Sequence, residues 1–312
     1  MDLRQLRTFL QVAELGSLSK AADRLNIAQP ALGRQVKLLE EEFGVALFSR
    51  HGRGMVLTSA GRVLVERASA ILRLVDDTRA EVSAERDAVS GSVSLGLPPT
   101  VGEVLTGRLV SRFVKQYPEV TVRIVPAFSG YLLDMLQRGE IDLAITYRTA
   151  HTRAIKIEPL VEEALYLVGP ADDRLRPKRS VPLKALADLP MILPGPRQGL
   201  RLLIEEAAQS AGVKLKLRIE AEALPTLKDL VSRGLGYTIL PMTAVQSEIQ
   251  SGILRASAIE RPMLKRQLVM SRSIVRPSSN AVRRFSEILK SEIVDMVRTK
   301  AWRGELLIVD GR

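Results

Sequence analysis

Between Ser59 and about Ala88 runs a segment with no proline and, beyond Gly61, no glycine. In it Leu64, Ala68, Ile71, Val75, Thr78 and Val82 recur at i, i+4, i+7, i+11, i+14 and i+18. That is one stripe along a helix roughly 45 Å long at 1.5 Å per residue. A helix polar elsewhere must bury such a stripe. Packing on its own head domain is one solution, but residues 1–58 look too few to cover it. A partner helix is therefore expected, with Leu64, Ala68, Ile71, Val75 and Val82 at a dimer interface. Ser90-Gly91-Ser92 comes next as a hinge. At 312 residues the chain exceeds what one core usually serves. The expected division is a head over 1–58, a linker over 59–90, a large module over 91–300 and a tail over 301–312.

The head reads as helices. Leu6, Phe9, Leu10 and Ala13 form one apolar face, and Gly16-Ser17 ends that helix and opens a short one from Leu18 to Leu25. Ala21 and Ala22 would let another helix cross closely. Asn26-Ile27 makes a tight turn, because Asn tolerates the left-handed conformation. A third helix starts near Gln29 with Pro30 in its first turn, its stripe being Leu32, Val36, Leu39 and Phe43. The opposite face carries Gln29, Pro30, Gly33, Arg34 and Lys37. A short helix, a tight turn and a polar-faced helix make a helix-turn-helix, although periodicity alone suits any small three-helix bundle with Arg34 and Lys37 merely solvated. The segment after the third helix decides against the bundle. Two short apolar runs, Leu47-Phe48 and Met55-Val56-Leu57, flank the basic, Gly-rich Arg50-His51-Gly52-Arg53-Gly54, which reads as a hairpin wing suited to phosphates. Thr58 then caps the next helix. Net charge adds little: of the +11, residues 91–312 hold +10 (33 basic, 23 acidic) and residues 1–58 only +2 (8 basic, 6 acidic).

Residues 1–61 resemble the winged helix-turn-helix of LysR-type transcriptional regulators. The carrying stretches are Leu3–Phe9, Gly16–Ala22, Ala28–Val36, Leu39-Glu40, Leu47–Arg50 and Leu57–Gly61. The resemblance implies that the helix from Gln29 enters the major groove of double-stranded operator DNA. It puts Gln29, Pro30 and Arg34 near bases, and Ser19, Lys37, Arg50 and Arg53 on phosphates. It also implies antiparallel linker helices joining two copies, with a tetramer as the expected assembly. Ala28 and Gly33 stand where the family usually has a hydroxyl, and Gly33 weakens a helix by roughly 1 kcal/mol relative to Ala.

After the hinge, strand and helix signals alternate: strand 93–97, helix 102–116, strand 120–125, helix 131–138, strand 143–146. They resume with strand 191–193, helix 200–211, strand 215–220, helix 224–233 and strand 237–240. The chain then crosses back near 264–271 and ends in a helix over 280–300. Such alternation predicts α/β lobes with mostly parallel sheets. Residues 91–162 with 266–300 are assigned to one lobe and 163–265 to the other. The family's effector module resembles a periplasmic solute-binding protein, and this order fits it. Ser129-Gly130, Leu143–Tyr147, Gly199–Arg201 and Gly234–Pro241 are most similar to the branch containing the nitrogen assimilation control regulator.

In open α/β sheets, ligands sit beyond the carboxyl ends of strands. Three such ends carry candidates for a small-molecule effector: Thr100; Ser129 with Gly130; and Pro194-Gly195, followed by Arg201. Thr100 and Ser129 read singly as helix caps, and together as hydroxyls beside helix N-termini that favour an anion. Tyr147 either borders the cleft or packs in the core.

Without cysteine and with two histidines, no metal centre, cofactor or catalytic residue is expected. His151 comes after a strand in a polar stretch and reads as a surface or hinge residue. No Gly-rich phosphate signature follows a strand. An enzyme on the two lobes, a free solute-binding protein and a purely architectural DNA binder are the disfavoured alternatives. No stretch approaches the roughly 20 apolar residues of a membrane span, the start lacks a secretory signal, and a cytoplasmic protein is expected.

Overall fold

The computed structural model describes residues 1–51, 54–82, 89–147, 154–171, 175, 179–196, 198–274 and 278–308. The chain divides into two compact units, one of Met1–Asp87 with Arg138–Glu140 and one of Ala88–Gln137 with Ile141–Arg312.

Local chemistry sets each boundary in the first unit. Asp2 accepts the Gln5 N–H while Gln5 accepts the Asp2 N–H, a capping box that starts α1 (Leu3–Leu15). Gly16 ends α1 at φ 59°. Ser17 accepts the Lys20 N–H and opens α2 (Leu18–Leu25). Asn26 makes the expected left-handed turn at φ 52° before α3 (Gln29–Phe43), which has Pro30 in its first turn. Strands β1 (Phe48–His51) and β2 (Gly54–Leu57) pair as the expected hairpin. Thr58 Oγ1 accepts the Gly61 N–H at 3.0 Å to open α4 (Ser59–Val82).

Leu6, Phe9, Val12, Leu32, Val36 and Leu39 make the core of this unit, with Phe9 and Phe48 rings 5.2 Å apart. Leu64 and Ala68 belong to the same core, and Ile71 packs at its margin. This corrects the linker expectation. The face of α1 supplies enough apolar surface to cover the first half of the α4 stripe, so Leu64 and Ala68 are intradomain residues. Farther along, Val75 is half-buried, while Leu74 is 50% exposed and Val82 77%.

In the second unit β3 (Gly91–Leu97) pairs parallel with β4 (Val120–Pro126) and β5 (Leu143–Tyr147), with α5 (Pro99–Gln116) and α6 (Ser129–Arg138) as connections. A strand the sequence reading did not anticipate comes next, β6 (Ile155–Pro170), 16 residues long. Beyond it come β7 (Val181–Pro182), β8 (Pro190–Leu193), α7 (Gly199–Ser210), β9 (Lys216–Glu220), α8 (Leu224–Ser232) and β10 (Thr238–Pro241). The chain closes with α9 (Gln246–Gln250), β11 (Leu254–Glu260), β12 (Lys265–Ser273), α10 (Asn280–Arg298) and β13 (Glu305–Leu306).

The main sheet runs β4-β3-β5-β12-β6-β11-β7, with β10 and β13 also pairing to β6, and β8 pairs parallel with β9. The expected mostly parallel sheets are therefore corrected to mixed ones: β6 is antiparallel to β10, β11, β12 and β13. A strand that crosses between lobes is met by strands returning the other way. Two parallel layers flank this crossover, one of β3–β5 with α5, α6 and α10, the other of β8 and β9 with α7 and α8. The expected tail also needs correction. Trp302 is 1% exposed, and β13 pairs with Val161 and Glu162, because an indole and a short strand complete the surface of β6. Among the described residues, no helix is long and apolar enough to cross a membrane.

Candidate functional sites

In the first unit the turn at Asn26 sends α3 out with its polar face exposed. Gln29, Pro30, Arg34 and Lys37 all lie on that exposed face. Arg34 forms no hydrogen bond or ion pair with a described residue, and Lys37 has only a loose contact with Glu41 at 3.5 Å. Ser19 on α2 donates to Gln29 Oε1 at 3.2 Å, which ties the start of α3 to the helix before it. Arg50 stands in β1, its side chain outside the described ones. Arg53 and His151 lie outside the described residues. The face thus offers two accessible cations and an amide, groups that pair with phosphate oxygens and base edges.

In the second unit, a small cavity of about 30 Å³ opens where α5, α6, α7 and α8 begin, and Thr100, Ser129, Tyr147 and Pro194 line it. Gln198, Gly199, Leu200, Glu222, Leu224, Leu227 and Leu240 complete much of the wall. Its mostly apolar lining with a few hydroxyls is the chemistry of a small-ligand site. Gly199 is required by close approach: a Cβ there would lie 2.6 Å from the Tyr147 ring. Gly195 lies behind the wall, where a Cβ would fall 2.0 Å from Glu222 Oε1. Gly130 and Arg201 do not line the cavity. Arg201 is buried, donating to Glu205 at 2.6 Å and to the Pro194 carbonyl at 3.2 Å, so it braces the wall and is corrected from a contact residue to a support.

The cap assignments also change. The N-cap of α5 is Pro98, which has no side-chain cap bond; Thr100 Oγ1 instead accepts from Arg266 Nη1 at 2.9 Å. Ser129 Oγ accepts the Tyr147 N–H at 3.2 Å, and the Phe128 carbonyl takes the Leu132 N–H at 2.9 Å. Neither hydroxyl is spent on its own helix.

Sequence reading missed the residue that joins them. Arg266 on β12 is fully buried, and its Nη1 also donates to Tyr147 Oη at 2.6 Å. Its Nε donates to Glu163 Oε1 at 2.6 Å. Nη2 lies 2.5 Å from that oxygen as an ion pair, but off the angle of a hydrogen bond. Glu163 Oε2 in turn accepts from Thr243 and from the Trp302 indole, each at 3.1 Å. Burial alone would push the guanidinium pKa down; the Glu163 carboxylate and Tyr147 hydroxyl outweigh it and hold the group above its ordinary value. Among the described residues, no group of three or more His, Asp or Glu side chains is placed to hold a metal ion.

A two-lobed α/β module with an apolar cavity, joined in one chain to a winged helix-turn-helix, defines a ligand-responsive DNA-binding protein. Residues 3–62 match the bacterial regulatory helix-turn-helix model of the lysR family, and residues 86–293 match the LysR substrate binding domain. The HTH-type transcriptional regulator BbuR of Bordetella bronchiseptica is 33% identical, over 100% of this chain and 96% of that protein. The nitrogen assimilation regulatory protein nac of Klebsiella aerogenes is 33% identical, covering 93% of this chain and 95% of its own. Among solved structures, a full-length OxyR variant from Pseudomonas aeruginosa aligns with a TM-score of 0.71 and 26% identity over 94% of both chains. CbnR complexed with its target DNA aligns with a TM-score of 0.72 over 94% of this chain and 100% of that one; at 23% identity it speaks to fold alone. The chain belongs to the LysR family of transcriptional regulators. It is an effector-responsive, DNA-binding transcriptional regulator.

Proposed function

We propose that α3 reads operator DNA with Gln29, Pro30 and Arg34 at base edges and Ser19, Lys37, Arg50 and Arg53 on phosphates. We propose also that a small anionic effector in the cavity beside Thr100, Ser129 and Tyr147 controls that binding or the promoter activation that results. The observation that carries the first part is Arg34, exposed on α3 and unpaired among the described residues. The second part rests on the cavity at the starts of four helices, whose N–H groups favour negative charge. The effector module is taken as 91–300, with 91–162 and 266–300 in one lobe and 163–265 in the other. The segment 301–308 now joins the first lobe through Trp302 and β13. Self-association through the exposed, later part of α4, and a cytoplasmic location, complete the proposal. The module is read as a binding device rather than an enzyme: among the described residues no base accepts the O–H of Thr100 or Ser129, whereas a nucleophilic hydroxyl gives its proton to a base.

The two kinds of DNA contact separate in a binding assay. Lys37→Ala should weaken binding to all sequences and flatten the salt slope by about one unit. Arg34→Ala should in addition reduce discrimination between operator and unrelated DNA by about tenfold or more, as loss of a base contact does. An unchanged operator preference in the Arg34→Ala variant would mean that another face of the unit reads the bases.

A further inference from the structure

The direction of each hydrogen bond behind the cavity has a chemical consequence. A guanidinium has five N–H donors and no acceptor. Both N–H groups of Arg266 Nη1 are used, one on Thr100 Oγ1 and one on Tyr147 Oη. Each hydroxyl therefore has one of its lone pairs taken and its own O–H free to donate. Ser129 is in the same condition, since its Oγ accepts the Tyr147 N–H. None of the three O–H groups donates to a described protein acceptor, and all three residues line the cavity. The guanidinium is oriented as well. Its Nε and Nη2 edge faces Glu163, and its Nη1 edge faces the two cavity residues, so the positive end of the buried pair points at the wall. Farther around the cavity stands the Glu222 carboxylate, held by Gln198 Nε2 at 2.7 Å, with Leu224, Leu227 and Leu240 completing an apolar side.

We infer that Arg266 is a positioning residue that fixes the hydrogen-bond polarity of the effector cavity. With its guanidinium in place, Thr100 and Tyr147 each have a lone pair taken and an O–H unspent, so the wall of Thr100, Ser129 and Tyr147 favours an acceptor on the ligand. The site selects a ligand that brings one oxyanion to that wall, carries an apolar body and has no second carboxylate to meet Glu222. This rests on the cavity being the effector site and goes further, naming the ligand's inner end and the buried residue that dictates it. Arg266 need not touch the ligand. Without the guanidinium, the Thr100 and Tyr147 hydroxyls could turn and accept from a ligand as readily as donate.

Matched six-carbon probes test this on the full chain: hexanoate, hexylamine and adipate, titrated calorimetrically. Wild type should bind hexanoate at least about tenfold more tightly than hexylamine, and adipate more weakly than hexanoate. Removing Arg266 alone would strand a buried carboxylate, so the pair is neutralised together as Arg266→Met with Glu163→Gln. Circular dichroism and emission from Trp302, the chain's one tryptophan, report whether the variant is folded. In the folded double variant the hexanoate-to-hexylamine ratio should fall toward one. A second variant leaves the pair intact: Tyr147→Phe removes one O–H donor and should weaken hexanoate severalfold with hexylamine unchanged. A wild-type protein that binds hexanoate no better than hexylamine overturns the inference. So does a folded double variant that keeps the wild-type ratio, or a Tyr147→Phe variant that binds both probes as before. Binding of no probe to wild type at high millimolar concentration would instead overturn the cavity as effector site, and this inference with it.

Discussion

A Cβ added at Gly33 would meet nothing within 4 Å, whereas one at Gly61 would lie 2.1 Å from the Leu47 carbonyl oxygen and 2.9 Å from Leu57 Cδ2. Both glycines sit in helices, α3 and α4, and helical propensity alone makes either one a cost of about 1 kcal/mol relative to Ala. The surroundings reverse the sign for one of them. Gly33→Ala should stabilise the first unit by about that amount, raising its thermal midpoint by several degrees. Gly61→Ala should push α4 off the chain at Leu47 and destabilise the unit by about 1–3 kcal/mol, as overpacking does. Hydrogen exchange in α1 and α4 of the full chain would read both effects, and equal protection in the two variants would contradict the packing described. If Gly33→Ala is also the weaker DNA binder, the bare backbone there is a point of close approach to the duplex. The same scale shows where sequence reading stops. Thr100, Ser129 and Tyr147 were legible because each follows the carboxyl end of a strand, a position with a physical meaning. Arg266 stands in Lys265-Arg266-Gln267, which reads as a solvated polar run, and its partner Glu163 is 103 residues away. Nothing local marks either as buried; only the pairing of β6 with β12 does.

At the scale of elements, the short helices of the head and the first alternating strands were legible because their signals are local: caps, a left-handed Asn, a stripe, a Gly-rich hairpin tip. The strand β6 was not, and the reason is in its sequence. Pro159 interrupts it and reads as a strand breaker, yet the structure accommodates it at a bulge, where the register with β12 shifts between Leu268 and Val269. The linker stripe was visible, but its periodicity does not say what it packs on. Since Leu64 and Ala68 are spent on the head's own core, Ile71→Asp would mix loss of folding with loss of assembly. Leu74, half exposed on α4, is the cleaner probe. Leu74→Glu should leave the fold and thermal midpoint of the first unit unchanged while converting the oligomer to smaller species in light scattering. It should also lower affinity for a two-half-site operator much more than for a single half-site. An unaltered mass for Leu74→Glu would assign self-association to a surface other than the outer part of α4.

For the molecule as a whole, pH is a test of how the effector module is held together. Lys228 on α8 reaches Glu103 on α5 at 3.1 Å and Glu248 on α9 at 2.7 Å, so one ammonium ties helices from both lobes. Burial pushes that ammonium's pKa down, but Glu248 and Glu103 outweigh it and hold it above the ordinary 10.5. Burial likewise pushes the Glu248 carboxyl up, and Lys228 with Ser247 brings it below 4.5. Glu158 is lowered against its own burial by Lys290 and Lys156. A carboxyl lowered in the fold contributes stability that is complete above its unfolded value and is lost as pH falls through the folded one. An ammonium raised in the fold contributes stability that is complete below its unfolded value and is lost as pH rises through the folded one. The module should therefore be most resistant to urea between these limits and weaken below about pH 4.5 and above about pH 10.5. Trp302 reports this unit alone, being the chain's one tryptophan and buried in it. Glu248→Gln should lower the urea midpoint near neutral pH and give a shallower loss on the acid side, because one of the carboxyls whose protonation drives that loss is gone. Its effect should also shrink in concentrated salt less than that of an exposed pair such as Arg284–Glu287, since Lys228 is only 13% exposed. Acid-side curves that run parallel for wild type and Glu248→Gln would show that the Lys228 clasp contributes nothing to how the lobes hold together.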